Sequence, residues 1–552
     1  MRRDVSFLAR VASTSALSVA VVTSTAVAQP QDVPSPDAAP SEAAPSEAAP
    51  AAPASTGAAD TPDASVVPPA SPAPTAEPDV TPTAVAPEPA SVAEPAAPAT
   101  SAAKPSVPGA DAARRDRGLR FGSYGRVIAG TDLRGGAPES TNVVARAPRI
   151  VEPSYLELDF QYALETAHGM LVRPVITVAF SGNLFHDTGV FDASPALRNV
   201  YLDAQITKRV TAWAGSRMYR GDDIYLFDYW PLDDLNTVGA GVAYRKTERE
   251  DGGDALELAA HAGVNRLLHP FQHQVTAVPD PEHGATTVLQ LNRQRMVASA
   301  NAAYIMDRGP GRMHVKLKAH TEVHALPSGT RKRDDGTFED LPSDSGWLAG
   351  TQVSLFGMSD DPAFRRHLNL YFRYAKGLAA FDELAPPTSF GPELKTTRAS
   401  ELQLGASGAW DHALGNVLFG AVSRRFIDAD TTTTDPDDGW EYAVDVRPLA
   451  RLGSGFFAGA DVSYQARFPR GLNPVTLRAQ DPAVFQIAPM LVFSPMGPSA
   501  YDRPQLRLVY RAAHLNEAAR DLYVPGDPRH DRTWVHFLGV QAEWWFNSSR
   551  YQ

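Results

Sequence analysis

The chain has 552 residues, no cysteine, 43% hydrophobic residues and a formal net charge of −12. These values exclude disulfides and thiolate metal sites, and they give nucleic-acid binding no electrostatic support. No continuous apolar run of membrane-spanning length follows residue 28, which excludes a helical membrane bundle.

Residues 1–28 read as a secretory signal: Arg2, Arg3 and Arg10 are basic, residues 11–22 are apolar or small, and Ala26-Val27-Ala28 makes a small-x-small cleavage site before Gln29. Residues 29–110 contain no Leu, Ile, Met, Phe, Tyr or Trp. Such a Pro/Ala/Ser-rich stretch cannot bury enough apolar surface to offset its ordering entropy. A disordered periplasmic spacer is expected over residues 29–115. Fully extended, it would reach roughly 250 Å, which allows contact with the cell wall.

Residues 116–552 carry a different signal. Short runs alternate with period two, one oily face and one wet face. In YLELDFQY (155–162), Tyr155, Glu157, Asp159 and Gln161 oppose Leu156, Leu158, Phe160 and Tyr162. In RMHVKLKAHTEVHA (312–325), His314, Lys316, Lys318, His320, Glu322 and His324 oppose Val315, Leu317, Ala319, Thr321 and Val323. The same pattern recurs in residues 367–375, 401–410, 440–447 and 504–510. Tyr162, Tyr374, Trp410 and Trp440 sit near run ends, where interfacial girdles form. The expected fold is all-β: a transmembrane antiparallel barrel of about 18 strands, each run about 9–12 residues, with lipid outside and an aqueous channel inside. Residues 331–346 and 428–439 are expected to be long exposed loops.

The last run, WVHFLGVQAEWWF (534–546), puts Leu538, Val540, Ala542, Trp544 and Phe546 on the lipid side. Phe537, Gly539, Gln541, Glu543 and Trp545 then face the lumen. The first run, LRFGSYGRVIAG (119–130), places Tyr124 and Arg126 on one face. Closure makes these neighbours, so Trp545, Tyr124, Arg126, Tyr155 and Glu157 offer aromatic and ionic groups to one patch of the lumen. Rings stack on the C–H faces of sugars, and charged groups bond the hydroxyl rim.

Residues 213–241, WAGSRMYRGDDIYLFDYWPLDDLNTVGAG, resemble the maltoporin motif that begins W-A-G-K-R-x-Y and ends G-x-G-A-G. FGSYGR (121–126), SYLEL (154–158), PALR (195–198) and VQAEWWF (540–546) match maltoporin-like segments in order. The resemblance implies a trimeric sugar porin with an aromatic lane, flanking polar tracks and a constriction loop. On the matching positions, Tyr124, Tyr155, Phe191, Tyr229, Trp230 and Trp545 belong to the lane. Arg126, Glu157, Arg198, Arg220, Asp223 and Asp228 belong to the tracks. Arg198 matches through PALR, although Asn199, Tyr201, Asp203 and Gln205 form the polar face of that run. One lane tryptophan falls on Leu452, and another is replaced by Phe191 or Phe185. The family's loop arginine falls on Gly221, beside Arg220.

The resulting expectation is an outer-membrane channel for facilitated diffusion of maltodextrin-like or other oligosaccharides, without catalysis, cofactor or metal. Its partners are the sugar, outer-membrane lipid and two further copies of the chain. A general diffusion porin and an outer-membrane tether to the cell wall are the alternatives. The group His314, Lys316, Lys318, His320 and His324 is the best place for a metal, against its reading as a solvated pore wall.

Overall fold

The computed structural model describes residues 117–547, except 183, 186–188, 190–192, 250–251, 268–271, 283, 292, 310–311, 334, 360–364, 433–436, 498 and 500. The sequence expectations for residues 1–116 and for Phe191 lie outside the described residues.

Eighteen antiparallel strands form one sheet. It closes on itself where Gly118–Thr131 pairs with Trp534–Phe546, with Tyr124 opposite Trp545 and Arg126 opposite Glu543. Closure leaves no edge and satisfies the backbone within the sheet, as a bilayer demands. Strands run from 11 to 16 residues, longer than the sequence runs suggest. Successive strands are joined by short turns at one end, such as 166–170, 206–209, 413–414 and 454–455, and mostly by long loops at the other. That asymmetry is typical of outer-membrane barrels, with short turns periplasmic and long loops outside.

Burial is inverted relative to a soluble protein. Leu370, Leu404 and Val540 point outward and are 48%, 51% and 55% exposed, while Glu401, Gln403 and Asp461 point inward and are 0%, 1% and 1% exposed. The period-two faces fall as the sequence indicates. On the His-rich strand, Leu317 and Val323 lie outward, whereas His320 and His324 lie inward.

Infolded loops partly fill the lumen. Val143, Val144 and Ala147 of the loop 132–154 pack with Ile224, Leu226, Phe227 and Tyr229 of the loop 221–233 against wall residues Tyr371, Leu418 and Val422. A backbone bond from Arg149 N to Leu226 O, 3.1 Å, ties the loops together. The first loop also hangs on the wall, with Val143 N donating to Gln465 and Ala145 N to Glu441. These loops turn inward because their apolar side chains find burial there. The wall makes room with glycine: a Cβ at Gly405 would meet Ile224 Cδ1 at 3.1 Å, and one at Gly420 would meet Ile224 Cγ2 at 2.9 Å.

Two sequence expectations change. Residues 331–346 are not one open loop: Gly329–Lys332 pairs with Phe338–Leu341 as a small hairpin, and the next wall strand begins at Asp344. The strand Ser194–Gln205 carries a register shift opposite Thr177 and Val178. The extra residue is Arg198, and a bulge of this kind turns two consecutive side chains to one side. Arg198 and Asn199 therefore both reach the lumen, which resolves the conflict between the PALR match and the strand phase.

Candidate functional site

The closing seam assembles a run of rings. Tyr155 and Tyr124 have centroids 6.0 Å apart, Tyr124 and Trp545 6.4 Å, Trp545 and Tyr501 6.3 Å, and Tyr501 and Tyr225 5.7 Å. Strand pairing fixes the first three. Tyr501 comes from the short-end turn 494–504, and Tyr225 from the infolded loop 221–233. Segments from opposite ends of the barrel thus meet in the lumen, where the Tyr501 hydroxyl donates to Asp223 Oδ1 at 2.7 Å. Tyr124 is 3% exposed, so it backs the run; Tyr155, Trp545, Tyr501 and Tyr225 are half-buried.

Charged groups flank these rings. Arg198 Nη1 lies 2.8 Å from Glu157 Oε1 and its guanidinium 5.6 Å from the Tyr155 ring centre. Arg198 also bonds the Tyr155 hydroxyl, which itself donates to Glu157 at 2.7 Å. Arg126 sits 3.1 Å from Glu152 and 3.8 Å from Asp228. Farther along, Arg503 stands 4.1 Å from the Trp545 ring centre and 2.7 Å from Glu543, which Arg507 also holds at 2.8 Å. In the loop 132–154, burial outweighs Arg126 and Arg149 and raises the Glu152 carboxyl above its ordinary value. In the loop 378–399, burial pushes Glu383 up to about 7 against the hydrogen bonds from Asn236.

Of the sequence candidates, Tyr124, Tyr155, Trp545, Arg126, Glu157, Arg198, Asp223 and Asp228 gather at the seam. Tyr229 does not join the rings: its hydroxyl donates to Gln403 at 2.7 Å and accepts from Arg373 at 2.9 Å. Trp230 lies beneath Arg220, at 4.8 Å, and Arg220 pairs with Asp234. Phe185 and Leu452 are 42% and 64% exposed and supply no ring or lining there. Tyr225, Tyr501, Arg503 and Glu543 complete the site. Lumen phase marks Glu543 in the sequence, and the apolar-aromatic string IYLF in a loop is the available signal for Tyr225. Tyr501 has none, because it lies in a turn.

The His-rich strand is a closed ion network. His320 Nδ1 is 2.8 Å from Asp233 and its Nε2 is 2.7 Å from Glu322, while His324 is 2.9 Å from Glu322. Lys318 pairs with Asp233 and Lys316 with Asp222. These contacts tie the end of the infolded loop to the wall.

Comparison with known proteins places the sequence profile described as LamB porin on residues 119–546. No curated protein matches the chain. Similar solved structures include the outer membrane channel DcaP of Acinetobacter baumannii, 10% identical over 78% of this chain and 98% of that chain with a TM-score of 0.38. Another is the outer membrane protein opdK from Pseudomonas aeruginosa, 10% identical over 78% of this chain and 100% of that chain with a TM-score of 0.39.

Proposed function

We propose that this chain, which belongs to the LamB porin family, is an outer-membrane porin that passes oligosaccharides by facilitated diffusion along the seam. The observation that carries this reading is the unbroken run Tyr155, Tyr124, Trp545, Tyr501 and Tyr225, with successive centroids no more than 6.4 Å apart. A water-filled pore gains nothing from such rings. A pyranose gains stacking on each, and the half-buried rings of Tyr155, Trp545 and Tyr501 present the faces. Buried Arg503 braces the Trp545 ring, and Arg126 and Arg198 hold polar edges beside the rings, each anchored by a carboxylate. Their charge-assisted bonds can exchange between hydroxyls as the sugar moves. Many weak sites in series permit entry and release, as conduction requires.

The reading includes a signal over residues 1–28, a spacer over 29–115, a barrel over 116–552, and a homotrimer in outer-membrane lipid. Cell-wall contact through the spacer is compatible with transport. Liposome swelling with a panel of neutral sugars, together with current blockade in a planar bilayer, tests the lane. Concentration-dependent blockade by oligosaccharides is expected. Passage governed by solute size alone, without blockade, would make the protein a general diffusion porin.

A further inference from the structure

We propose that Arg217, backed by Tyr201, Trp213 and Tyr219, is a binding site for a carboxylate carried by a solute in the channel, with a uronate-type acidic oligosaccharide as the ligand class. The inference rests on the channel reading but not on the aromatic seam.

The four residues line the inner wall of Ser194–Gln205 and Val210–Arg220. Arg217 lies opposite Thr237, which is 2% exposed and faces inward. Its guanidinium carbon is 4.9 Å from the Tyr201 ring centre, 5.2 Å from Trp213 and 5.2 Å from Tyr219. The ring cluster is held in place from behind: His261 stacks on Trp213 with centroids 5.2 Å apart and lies 2.5 Å from Thr237 Oγ1.

Among the described residues, no carboxylate lies within ion-pair distance of Arg217. The carboxylates of the surrounding wall are already held: Asp203 by Arg173 at 3.2 Å, Asp233 by Lys318 and His320, and Asp234 by Arg220. The seam is different, since Arg126, Arg198 and Arg503 are each neutralised. A guanidinium without an anion is costly in a lumen this full, and three π faces and residual water offset only part of that cost. Three ring centres stand within 5.2 Å of the guanidinium carbon, and a guanidinium's planar N–H fork is the group that grips a carboxylate in a bidentate manner. Arg217 is half-buried, so part of the residue remains accessible. Aromatic walls beside a fixed cation suit an acidic sugar better than a small inorganic anion, because the sugar ring adds apolar contact.

The test uses the full-length protein in planar bilayers, with trigalacturonate and maltotriose as blocking probes. In the wild type, trigalacturonate should block, and the block should weaken as KCl rises. Arg217→Met should lower trigalacturonate affinity about ten- to a hundredfold and change maltotriose affinity less than about twofold. Arg217→Lys should fall between, because an ammonium lacks the fork. Unchanged trigalacturonate block in Arg217→Met overturns the proposal. If that variant does not insert, the wild type decides: salt-sensitive block supports the site, and salt-insensitive block overturns it. Acetate competing as well as galacturonate would overturn the sugar assignment. Absence of maltotriose block in the wild type would count against the seam alone.

Discussion

Two stretches of the lumen wall use arginine in opposite ways. At the seam, Arg198 and Arg503 lie over rings, 5.6 Å from Tyr155 and 4.1 Å from Trp545, with one carboxylate behind each. On the strands from Arg366–Gly377 to Phe456–Pro469, charges alternate as a ladder: Arg373, Glu401, Arg424, Glu441 and Arg467, with successive gaps of 3.2, 2.8, 3.2 and 2.9 Å. The ladder saturates itself and grips the infolded loops through Tyr229 and Ala145. The ladder's charges satisfy one another and hold the wall together, whereas Arg198, with a quarter of its side chain exposed beside the half-buried Tyr155, can also reach a solute.

The comparison breaks most visibly at Glu401, which is 0% exposed and bridges two arginines. Glu401→Ala leaves Arg373 with Asp382 and Arg424 with Glu441, and puts one excess positive charge inside the barrel. A loss of about 3–5 kcal/mol is expected, read as a lower urea midpoint for unfolding from lipid. Sugar affinity of the folded fraction should hardly change, because the ladder lies outside the ring run. Comparable stability of this variant and the wild type would show that the ladder is not structural.

Next in size is Gly420→Val. A Cβ there already meets Ile224 Cγ2 at 2.9 Å, so the branched side chain must push the loop 221–233 off the wall. Overpacking of this kind costs about 1–3 kcal/mol. Single-channel conductance should shift as the loop moves, and sugar block should weaken because Tyr225 and Asp223 ride on the same loop. Unaltered conductance would mean that Ile224 seats elsewhere in the membrane.

Trp545→Ala sharpens the other side of the comparison. It removes the central ring of the run and should lower oligosaccharide affinity by roughly 1–3 kcal/mol, with ion conductance nearly intact. Unchanged affinity would take Trp545 out of the lane.

The barrel is legible in the sequence because period two fixes which side of each strand meets lipid, and Leu404 against Gln403 needs no further information. The seam is legible because closure makes the first and last strands neighbours, which brings Tyr124 to Trp545. The ladder is half legible: the inward phase of Glu441 and Arg447 can be read, but pairing Arg424 with Glu401 depends on register. Arg198 is obscured because alternation carries no mark of an inserted residue, so a bulge looks like a wrong phase. Tyr229 departs from its expected place because loop residues have no period, and its hydroxyl follows Arg373 and Gln403 to the ladder. Tyr501 lies in a turn between strands, where neither pattern nor motif points inward.

Tyr501→Phe has the smallest expected effect and isolates the contact between the two ends of the barrel. The ring remains beside Trp545 and Tyr225, and only the 2.7 Å bond to Asp223 is lost. A single bond to a charged acceptor is worth about 1.5–3 kcal/mol to the fold, but the ring that touches the sugar stays in place, so sugar block should weaken by no more than about tenfold. The informative quantity is how the change divides between rates. If the bond pins the turn 494–504 against the infolded loop, its loss should speed sugar release toward the short-turn side more than it slows entry. Sugar added separately to each face of the bilayer resolves this, because exit rates toward the two sides are then measured independently. Equal acceleration toward both faces would mean that Tyr501 acts as one more stacking ring and does not fasten the exit.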